Sequence, residues 1–244
     1  MKHSASFRLR VNDLSQSDRL KESALLALLQ EVATEHANIL HLGAADLIKK
    51  NLGWALSKLD IHISSFPKSR QKITLETWAS EKAKITTERD FIAYSASGEN
   101  ILQARSLWVL FNLEKRKIER LNVLEDWPRI TETRANGDLT ETLKKPENPQ
   151  YTLKCHLRKD DMDINGHINN CIYQSLAIDA LPNEFYQTHE PERIQISFLA
   201  EAKFGDEILS ICEIAGNETY HQILNNDKES ARLNIKWKKL ENKF

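Results

Sequence analysis

One order of elements occurs twice in the chain: a strand, a polar loop, a single long apolar helix and several further strands. The first copy lies in residues 1–125 and the second in residues 150–244. Residues 126–149 between them carry three of the six prolines, which predicts a connector that runs over the surface. Because each copy has one apolar helix to bury, each predicts an antiparallel sheet wrapped around that helix. The sequence therefore indicates an α+β fold of two tandem units that arose by duplication.

Local patterns set the expected bounds of the elements in the first copy. Its helix is predicted over about residues 20–41, with Ser17 or Asp18 as the N-terminal cap and Gly43 as the C-terminal stop. The apolar alternation of the following strand changes phase near residues 57–58, which predicts a β-bulge at that point.

Composition excludes several classes of protein. The chain has 244 residues, with 34 Lys or Arg and 35 Asp or Glu, so its net charge of −1 argues against a strongly basic nucleic-acid-binding protein. No apolar run approaches the ~18 residues of a membrane-spanning helix. Three cysteines without a CxxC pair, and an N-terminus without a targeting pattern, predict a cytoplasmic protein. No metal or cofactor is expected.

The loop before the second helix concentrates polar residues that can carry chemistry. Asp161-x-Asp163-x-Asn165-Gly166 matches the first half of a calcium-binding EF-hand loop, but Ile172 occupies the position of its final bidentate Glu. The same residue types are common helix caps and turn formers. Calcium binding and a purely structural role are therefore two interpretations of this loop.

A catalytic role is the third interpretation. Since the second helix is predicted over about residues 168–180, His167 and the N–H groups of residues 166–168 are expected at its first turn. Unpaired N–H groups and the positive end of a helix dipole stabilise the oxyanion that forms when a carbonyl is attacked. An imidazole or a carboxylate beside them can activate water.

The segment Asp163-Ile-Asn-Gly-His167-Ile-Asn-Asn-Cys-Ile-Tyr173 resembles the signature of acyl-acyl-carrier-protein (ACP) thioesterases. In the first copy, the segment from Leu29 to His36 is similar to the family's first helix, and the segments around Trp54 and Trp108 are similar to its substrate-binding strands. The resemblance implies two tandem hotdog units, each an antiparallel sheet around one long helix, in an intramolecular pseudo-dimer. It also implies that the N-terminal unit binds the acyl chain and that the C-terminal unit carries the catalytic residues.

The resemblance implies four site residues: Asp163, Asn165, His167 and Glu201. Glu201 follows an apolar strand predicted over residues 194–200, and its alternative role is a solvent-facing charge at a strand end. Plant relatives have a Cys after this Glu, but this chain has Ala202, so a Cys nucleophile is not expected there. Cys171 shares a helix face with His167, but its position is apolar in the family and predicts core packing.

The expected reaction is therefore direct attack of water on a thioester carbonyl. Glu201 or His167 is the expected base, and the sequence does not decide between them. Asp163 is expected to hold the charge and orientation of this network, and Asn165 to position the water or the thioester by hydrogen bonds. Two other functions stay open: an acyl-CoA thioesterase of the same fold, and a non-catalytic acyl-binding module.

The implied partner is an acidic carrier protein loaded with a fatty acyl chain, with no nucleic acid involved and a monomeric or homodimeric chain. Docking of an acidic protein requires a local basic surface, although a run of charges is often only a solvated face. Three clusters are candidates for that surface: Lys115, Arg116, Lys117 and Arg120; Lys144 and Lys145; and Lys236, Lys238 and Lys239.

Overall fold

The computed structural model describes residues 1–68, 71–124, 127 and 134–240. The chain divides into two compact units, Met1–Leu139 and Thr140–Phe244. Each unit contains an antiparallel sheet and one helix longer than the others in that unit, which is the architecture expected of a hotdog unit.

In the first unit, the strands follow the order β1-β3-β4-β5-β2, all neighbours are antiparallel, and β6 pairs with β5. The strands are β1 (His3–Arg8), β2 (Leu52–Ile63), β3 (Lys72–Lys82), β4 (Thr86–Tyr94), β5 (Asn100–Asn112) and β6 (Lys117–Glu119). The helices are α1 (Glu22–Ile39) and α2 (Ala44–Leu47), with short 3-10 turns at Val11–Asp13, Ile48–Lys50 and Leu121–Val123.

Helix α1 packs on strands β1 and β3 through one apolar face. Leu25, Leu29 and Val32 recur at spacings of three and four residues, and all three are at most 2% exposed. Burying a side chain of this size stabilises the fold by about 1.5–3 kcal/mol. The periodicity of the sequence therefore predicts the helix and its buried face correctly.

The predicted ends of α1 are both wrong. Lys21, not Ser17 or Asp18, is the N-cap, and it makes no side-chain capping bond. Leu20 is drawn into an isolated β-bridge with Leu14, so tertiary pairing keeps it out of the helix. At the other end the helix stops at Ile39, and Gly43 is the N-cap of α2 rather than the stop of α1.

The predicted bulge in β2 is confirmed. The register between β2 and β5 shifts between Leu56 and Lys58. Leu56 and Leu59 are both buried in spite of their odd spacing, because the extra residue restores the inward face after the shift.

In the second unit, antiparallel strands follow the order β8-β11-β10-β9-β7. The strands are β7 (Tyr151–Cys155), β8 (His189–Phe198), β9 (Ile208–Ala215), β10 (Glu218–Asn225) and β11 (Lys228–Lys239). The helices are α3 (Asn170–Asp179) and α4 (Asn183–Thr188), with a 3-10 turn at Lys159–Asp161. Helix α3 packs on β9, β10 and β11. In the described ranges, no helix has the length and apolar character needed to cross a bilayer.

The described part of the connector is held to the sheets by hydrogen bonds. Ala135 N donates to Asp90 Oδ1 at 2.9 Å and Asp138 N donates to Asp60 Oδ2 at 2.7 Å, in the first unit. Further along, Gln195 Nε2 donates to a Glu141 carboxylate oxygen at 2.9 Å in the second unit. The carboxylates of Asp60 and Asp90 are buried, and so they serve as anchors for the connector backbone. Connector residues 126 and 128–133 lie outside the described part of the chain.

Two histidines are buried in the fold. His36 on α1 is 1% exposed, and burial, together with the charge of Arg89, lowers its pKa to about 4. His221 on β10 is fully buried, with Nε2 2.8 Å from Thr219 Oγ1, and burial lowers its pKa to about 3. Both imidazoles are therefore neutral in the folded chain near neutral pH.

We expect the free energy of unfolding to fall as the pH is lowered from about 6.5 towards 4, because the unfolded chain then binds protons that the folded chain does not. Urea denaturation at pH 7 and pH 5 measures this loss. H221Q removes one of the two groups, so its stability should depend less steeply on pH. An H221Q variant that folds and keeps the full wild-type pH dependence would contradict this assignment.

Candidate active site

Residues 163–167 form a tight turn that is closed on itself. Asp163 N donates to His167 O at 2.8 Å, and Gly166 N donates to Asp163 O at 3.0 Å. Gly166 has φ of +75°, a left-handed conformation that favours glycine. The sequence Asn-Gly at this point thus fits the turn that the backbone makes.

This turn is clamped to the segment that follows strand β8. His167 forms a β-bridge with Lys203, and Ile168 N donates to Ala202 O at 2.8 Å. The clamp brings His167 Nε2 to 3.2 Å from Glu201 Oε2. The side chains are 21% and 51% exposed, so the pair is supported by the protein and accessible to a substrate.

Asp163 organises the turn through its side chain. Its Oδ1 accepts from Asn165 N at 2.8 Å and from His167 N at 3.1 Å. Asn165 Nδ2 lies 3.4 Å from Asp163 Oδ2, and the residue is exposed. The structure therefore brings all four predicted site residues together: Asp163, Asn165, His167 and Glu201.

The expected oxyanion donors at residues 166–168 are not available. Helix α3 begins at Asn170 with Asn169 as its N-cap, so His167 precedes the helix rather than lying in its first turn. The N–H groups of Gly166 and His167 both donate to Asp163, and that of Ile168 donates to Ala202. The side-chain amide of Asn165 is an exposed donor in the same loop, and one of its two N–H groups bonds to Asp163 Oδ2.

The calcium interpretation fails on the geometry of its first two carboxylates. Asp161 is buried and accepts from the backbone N, Nε and a terminal nitrogen of Arg158 at 2.7–3.5 Å. Asp163 instead binds the backbone of its own turn. Among the described residues, no group of three or more His, Cys, Asp or Glu side chains is placed to hold a metal ion. The capping interpretation applies to Asn169, whose Oδ1 accepts from Cys171 N at 3.0 Å.

Cys171 is a buried thiol and is not placed to act as a nucleophile. It is 7% exposed, and burial raises its pKa to about 12, so the thiolate is not populated near neutral pH. Its burial agrees with the expectation that Cys171 packs in the core. At the position after Glu201, Ala202 is 1% exposed and accepts the backbone bond from Ile168.

The first unit contains the same backbone arrangement before helix α1. Ser15 N donates to Arg19 O at 2.8 Å, Asp18 N donates to Ser15 O at 3.1 Å, and Leu20 N donates to Pro67 O at 2.9 Å. The counterparts in the second unit are the bonds from Asp163 N to His167 O, from Gly166 N to Asp163 O and from Ile168 N to Ala202 O, and each pair of bond lengths agrees within 0.1 Å. Asp18 even adopts the left-handed conformation of Gly166, with φ of +54°. The two units therefore share one loop scaffold.

The chemistry of the two scaffolds differs at matching positions. In the shared scaffold, Asp163 corresponds to Ser15 and Asn165 to Ser17. His167 corresponds to Arg19, and Glu201 corresponds to Phe66. The Arg19 guanidinium lies 5.4 Å from the Phe66 ring centroid, where the second unit has its His–Glu pair. Arg19 is 4% exposed and pairs with Glu22 at 3.2 Å. Only the second unit presents an accessible imidazole and carboxylate on this scaffold.

Sequence reasoning missed the residues that build the shared scaffold. In each unit an Arg holds the Asp three positions later, Arg10 with Asp13 at 2.9 Å and Arg158 with Asp161 at 2.8 Å. Both Asp residues are buried and each accepts a backbone N–H of its Arg. The pattern Arg-x-x-Asp occurs before the long helix of each unit, and this repeat in the sequence could have predicted the shared scaffold.

Two apolar cavities lie beside helix α1 in the first unit. One is lined by Leu26, Leu29, Leu56, Leu59, Phe91 and Trp108, with Gln30 and Ser106, and the other includes Leu25, Ile63, Phe66 and Leu102 in its lining. Each has a volume of about 10 Å³, which is enough for about one water molecule. The space beside the long helix is thus largely filled by apolar side chains.

Two protein-family models match the chain. The acyl-ACP thioesterase N-terminal domain matches residues 1–127, and the acyl-ACP thioesterase C-terminal domain matches residues 144–239. Oleoyl-acyl carrier protein thioesterase 2, chloroplastic, of Arabidopsis thaliana is 30% identical over 75% of this chain and 55% of its own length. Oleoyl-acyl carrier protein thioesterase, chloroplastic, of Coriandrum sativum is 25% identical over 86% of this chain and 62% of its own length. The chain spans less than two thirds of the length of these curated relatives.

Solved structures show the same fold. An acyl-ACP thioesterase from Bacteroides thetaiotaomicron has a TM-score of 0.89 and 28% identity, over 97% of this chain and 98% of its own. The 12:0-ACP thioesterase from Umbellularia californica has a TM-score of 0.89 at 19% identity, over 98% of both chains. Together with the sheet and helix of each unit, these likenesses confirm the predicted double hotdog fold class. On the two family matches, the chain belongs to the acyl-ACP thioesterase family.

Proposed function

We propose that this chain hydrolyses fatty acyl-ACP thioesters to free fatty acid and holo-ACP by direct attack of water. The observation that carries the proposal is the difference between its two loop scaffolds. Both units hold the same backbone, but only the second has the accessible His167–Glu201 pair at 3.2 Å. Because the first unit forms the same backbone without this pair, the pair is not required by the fold. We therefore assign His167 and Glu201 to the chemistry.

The His167–Glu201 pair supplies the base. It takes a proton from the attacking water as the water oxygen bonds to the carbonyl carbon, and it returns a proton to the thiolate sulfur when the C–S bond breaks. Either residue can be the group that touches the water, since both side chains are accessible.

Asp163 and Asn165 complete the site. Asp163 fixes the turn by accepting two backbone N–H groups, which sets the direction of the His167 side chain. The exposed Asn165 amide donates a hydrogen bond to the thioester carbonyl or to the water, and it takes over the role expected of the helix N-terminus. We propose no covalent intermediate on a cysteine, because Ala202 rather than a Cys follows Glu201 and Cys171 is buried.

The division of labour between the units is also a proposal. The first unit binds the acyl chain, a role supported by the apolar side chains that line the two small cavities beside α1, and the second unit carries the catalytic residues. The reaction would terminate or divert fatty acid synthesis. We place it in the cytoplasm, where the three thiols of the chain stay reduced.

Removal of either functional carboxylate should abolish most turnover without unfolding the chain. E201Q is expected to lower kcat on a long-chain acyl-ACP by about 10²–10⁴-fold, because general-base assistance contributes that much. D163A removes the acceptor that fixes the turn under His167, and it is expected to lower kcat by about 10²-fold through misplacement of the imidazole. Free-thiol release measures the rate, and thermal unfolding measures the fold.

The matched control is S15A, which changes the position that corresponds to Asp163 in the first unit. Its kcat should equal that of the wild type. Full activity in both D163A and E201Q would contradict the proposed site. A wild-type rate on acyl-CoA that exceeds the rate on the matched acyl-ACP would instead favour the acyl-CoA alternative.

Of the three basic clusters, the one in and around strand β6 fits carrier docking best. Its side chains of Lys115, Lys117 and Arg120 are exposed. The other clusters are engaged within the protein: Lys145 pairs with Glu229, Lys236 with Glu192 and Lys238 with Glu190, at 2.9–3.2 Å. Lys144 lies over the Tyr220 ring at 5.4 Å.

We expect a K115A/K117A double variant to lower kcat/KM for acyl-ACP by about tenfold at low salt, because a basic surface accelerates the encounter with an acidic partner. The defect should shrink as salt is raised and should be absent with acyl-CoA. K236A/K238A is the control of equal charge change and should behave like the wild type. Equal loss on both carriers would exclude a docking role for this cluster.

A further inference from the structure

The segment that carries Glu201 is held through three consecutive backbone carbonyl groups. The three donors come from helix α3, strand β10 and the catalytic turn. They are Tyr173 Oη to Ala200 O at 3.3 Å, Asn225 Nδ2 to Glu201 O at 3.2 Å, and Ile168 N to Ala202 O at 2.8 Å. Since Glu201 lies beyond the end of β8 at Phe198, these bonds replace the sheet ladder as its support.

Tyr173 is the buried member of this set. It is 3% exposed and lies on α3, and its ring packs edge-on against Phe198 with centroids 5.8 Å apart. Burial raises the pKa of Tyr173 to about 12, so the hydroxyl keeps its proton and remains a donor throughout the neutral range. The backbone carbonyl of Ser230, on the neighbouring strand β11, accepts from Leu199 N at 2.9 Å and from Ala200 N at 3.2 Å. These two bonds hold the start of the same segment.

The first unit shows that the fold itself does not require this hydroxyl. Tyr173 is the fourth residue of α3, and the fourth residue of α1 is Leu25. Leu25 is 2% exposed and lines a cavity with Phe66, the counterpart of Glu201. The shared scaffold forms in both units, but the hydroxyl occurs only in the unit that has the carboxylate.

We propose that Tyr173 is a positioning residue, whose hydroxyl fixes residues 200–202 so that the Glu201 carboxylate meets His167. The inference rests on the proposed function, because Tyr173 acts through Glu201. The hydroxyl binds a backbone carbonyl rather than the reacting atoms, so it sets the place of the carboxylate and does not transfer a proton.

Y173F tests the proposal, because it removes the hydroxyl and keeps the ring that packs on Phe198. We expect kcat on acyl-ACP to fall by about 10–100-fold with KM nearly unchanged, since misplacement of a catalytic group by about 1 Å costs up to about 10²-fold. Y220F, which removes a hydroxyl bonded to the Glu218 carboxylate in the same unit, should leave kcat and KM unchanged.

A double variant separates positioning from general stability. If Tyr173 acts through Glu201, Y173F should cause little further loss of kcat in the E201Q background, because the two residues work as one unit. A merely structural role would lower kcat by the same factor in both backgrounds, and that result would overturn the proposal.

Hydrogen exchange gives a readout that does not depend on activity. Y173F should accelerate exchange at the N–H groups of Ile168, Leu199 and Ala200, which bond within the supported segment, while β9 and β10 keep their protection. Unchanged exchange at these three amides would overturn the proposal even if the chain hydrolyses no thioester. An active wild type with an inactive E201Q and a fully active Y173F would overturn the positioning role alone and leave the proposed function standing.

Discussion

The site depends on one backbone contact, the bond from Ile168 N to Ala202 O with the adjoining bridge between His167 and Lys203. This contact joins a turn to a segment far along the chain and decides which side chains meet. It places an imidazole and a carboxylate 3.2 Å apart without either belonging to a helix or a strand. The proposed site is thus built by tertiary pairing of two irregular segments.

The first unit forms the same contact, from Leu20 N to Pro67 O, but has no His–Glu pair beside it. There the paired side chains are Arg19 and Phe66, and Arg19 is buried against Glu22. In the second unit the pair stays accessible, and its support comes from the backbone bonds around it. The same loop scaffold therefore holds a buried pair in the first unit and an accessible pair, the proposed site, in the second.

Much of this could be predicted from the sequence, for identifiable reasons. Period-2 and helical patterns gave both helices and the bulge near Lys58, because burial enforces them. The four site residues came from the resemblance of one motif, and the spacing to Glu201 followed from the same family pattern. The starts of α1 and α3 were placed too early, since Leu20 and Ile168 are drawn into bridges that no local pattern reveals. That error also misplaced the expected oxyanion donors, and helix α4 after Pro182 was missed because it has only six residues.

The measurement that tests the central claim most directly is a single turnover of a long-chain acyl-ACP in H₂¹⁸O, with mass analysis of both the fatty acid and the protein. The account predicts one ¹⁸O in the carboxylate of the released fatty acid, no acylated protein and no label in Glu201. An acylated side chain, or ¹⁸O in Glu201 with an unlabelled product, would contradict direct attack by water. Failure to release any fatty acid would contradict the hydrolase itself.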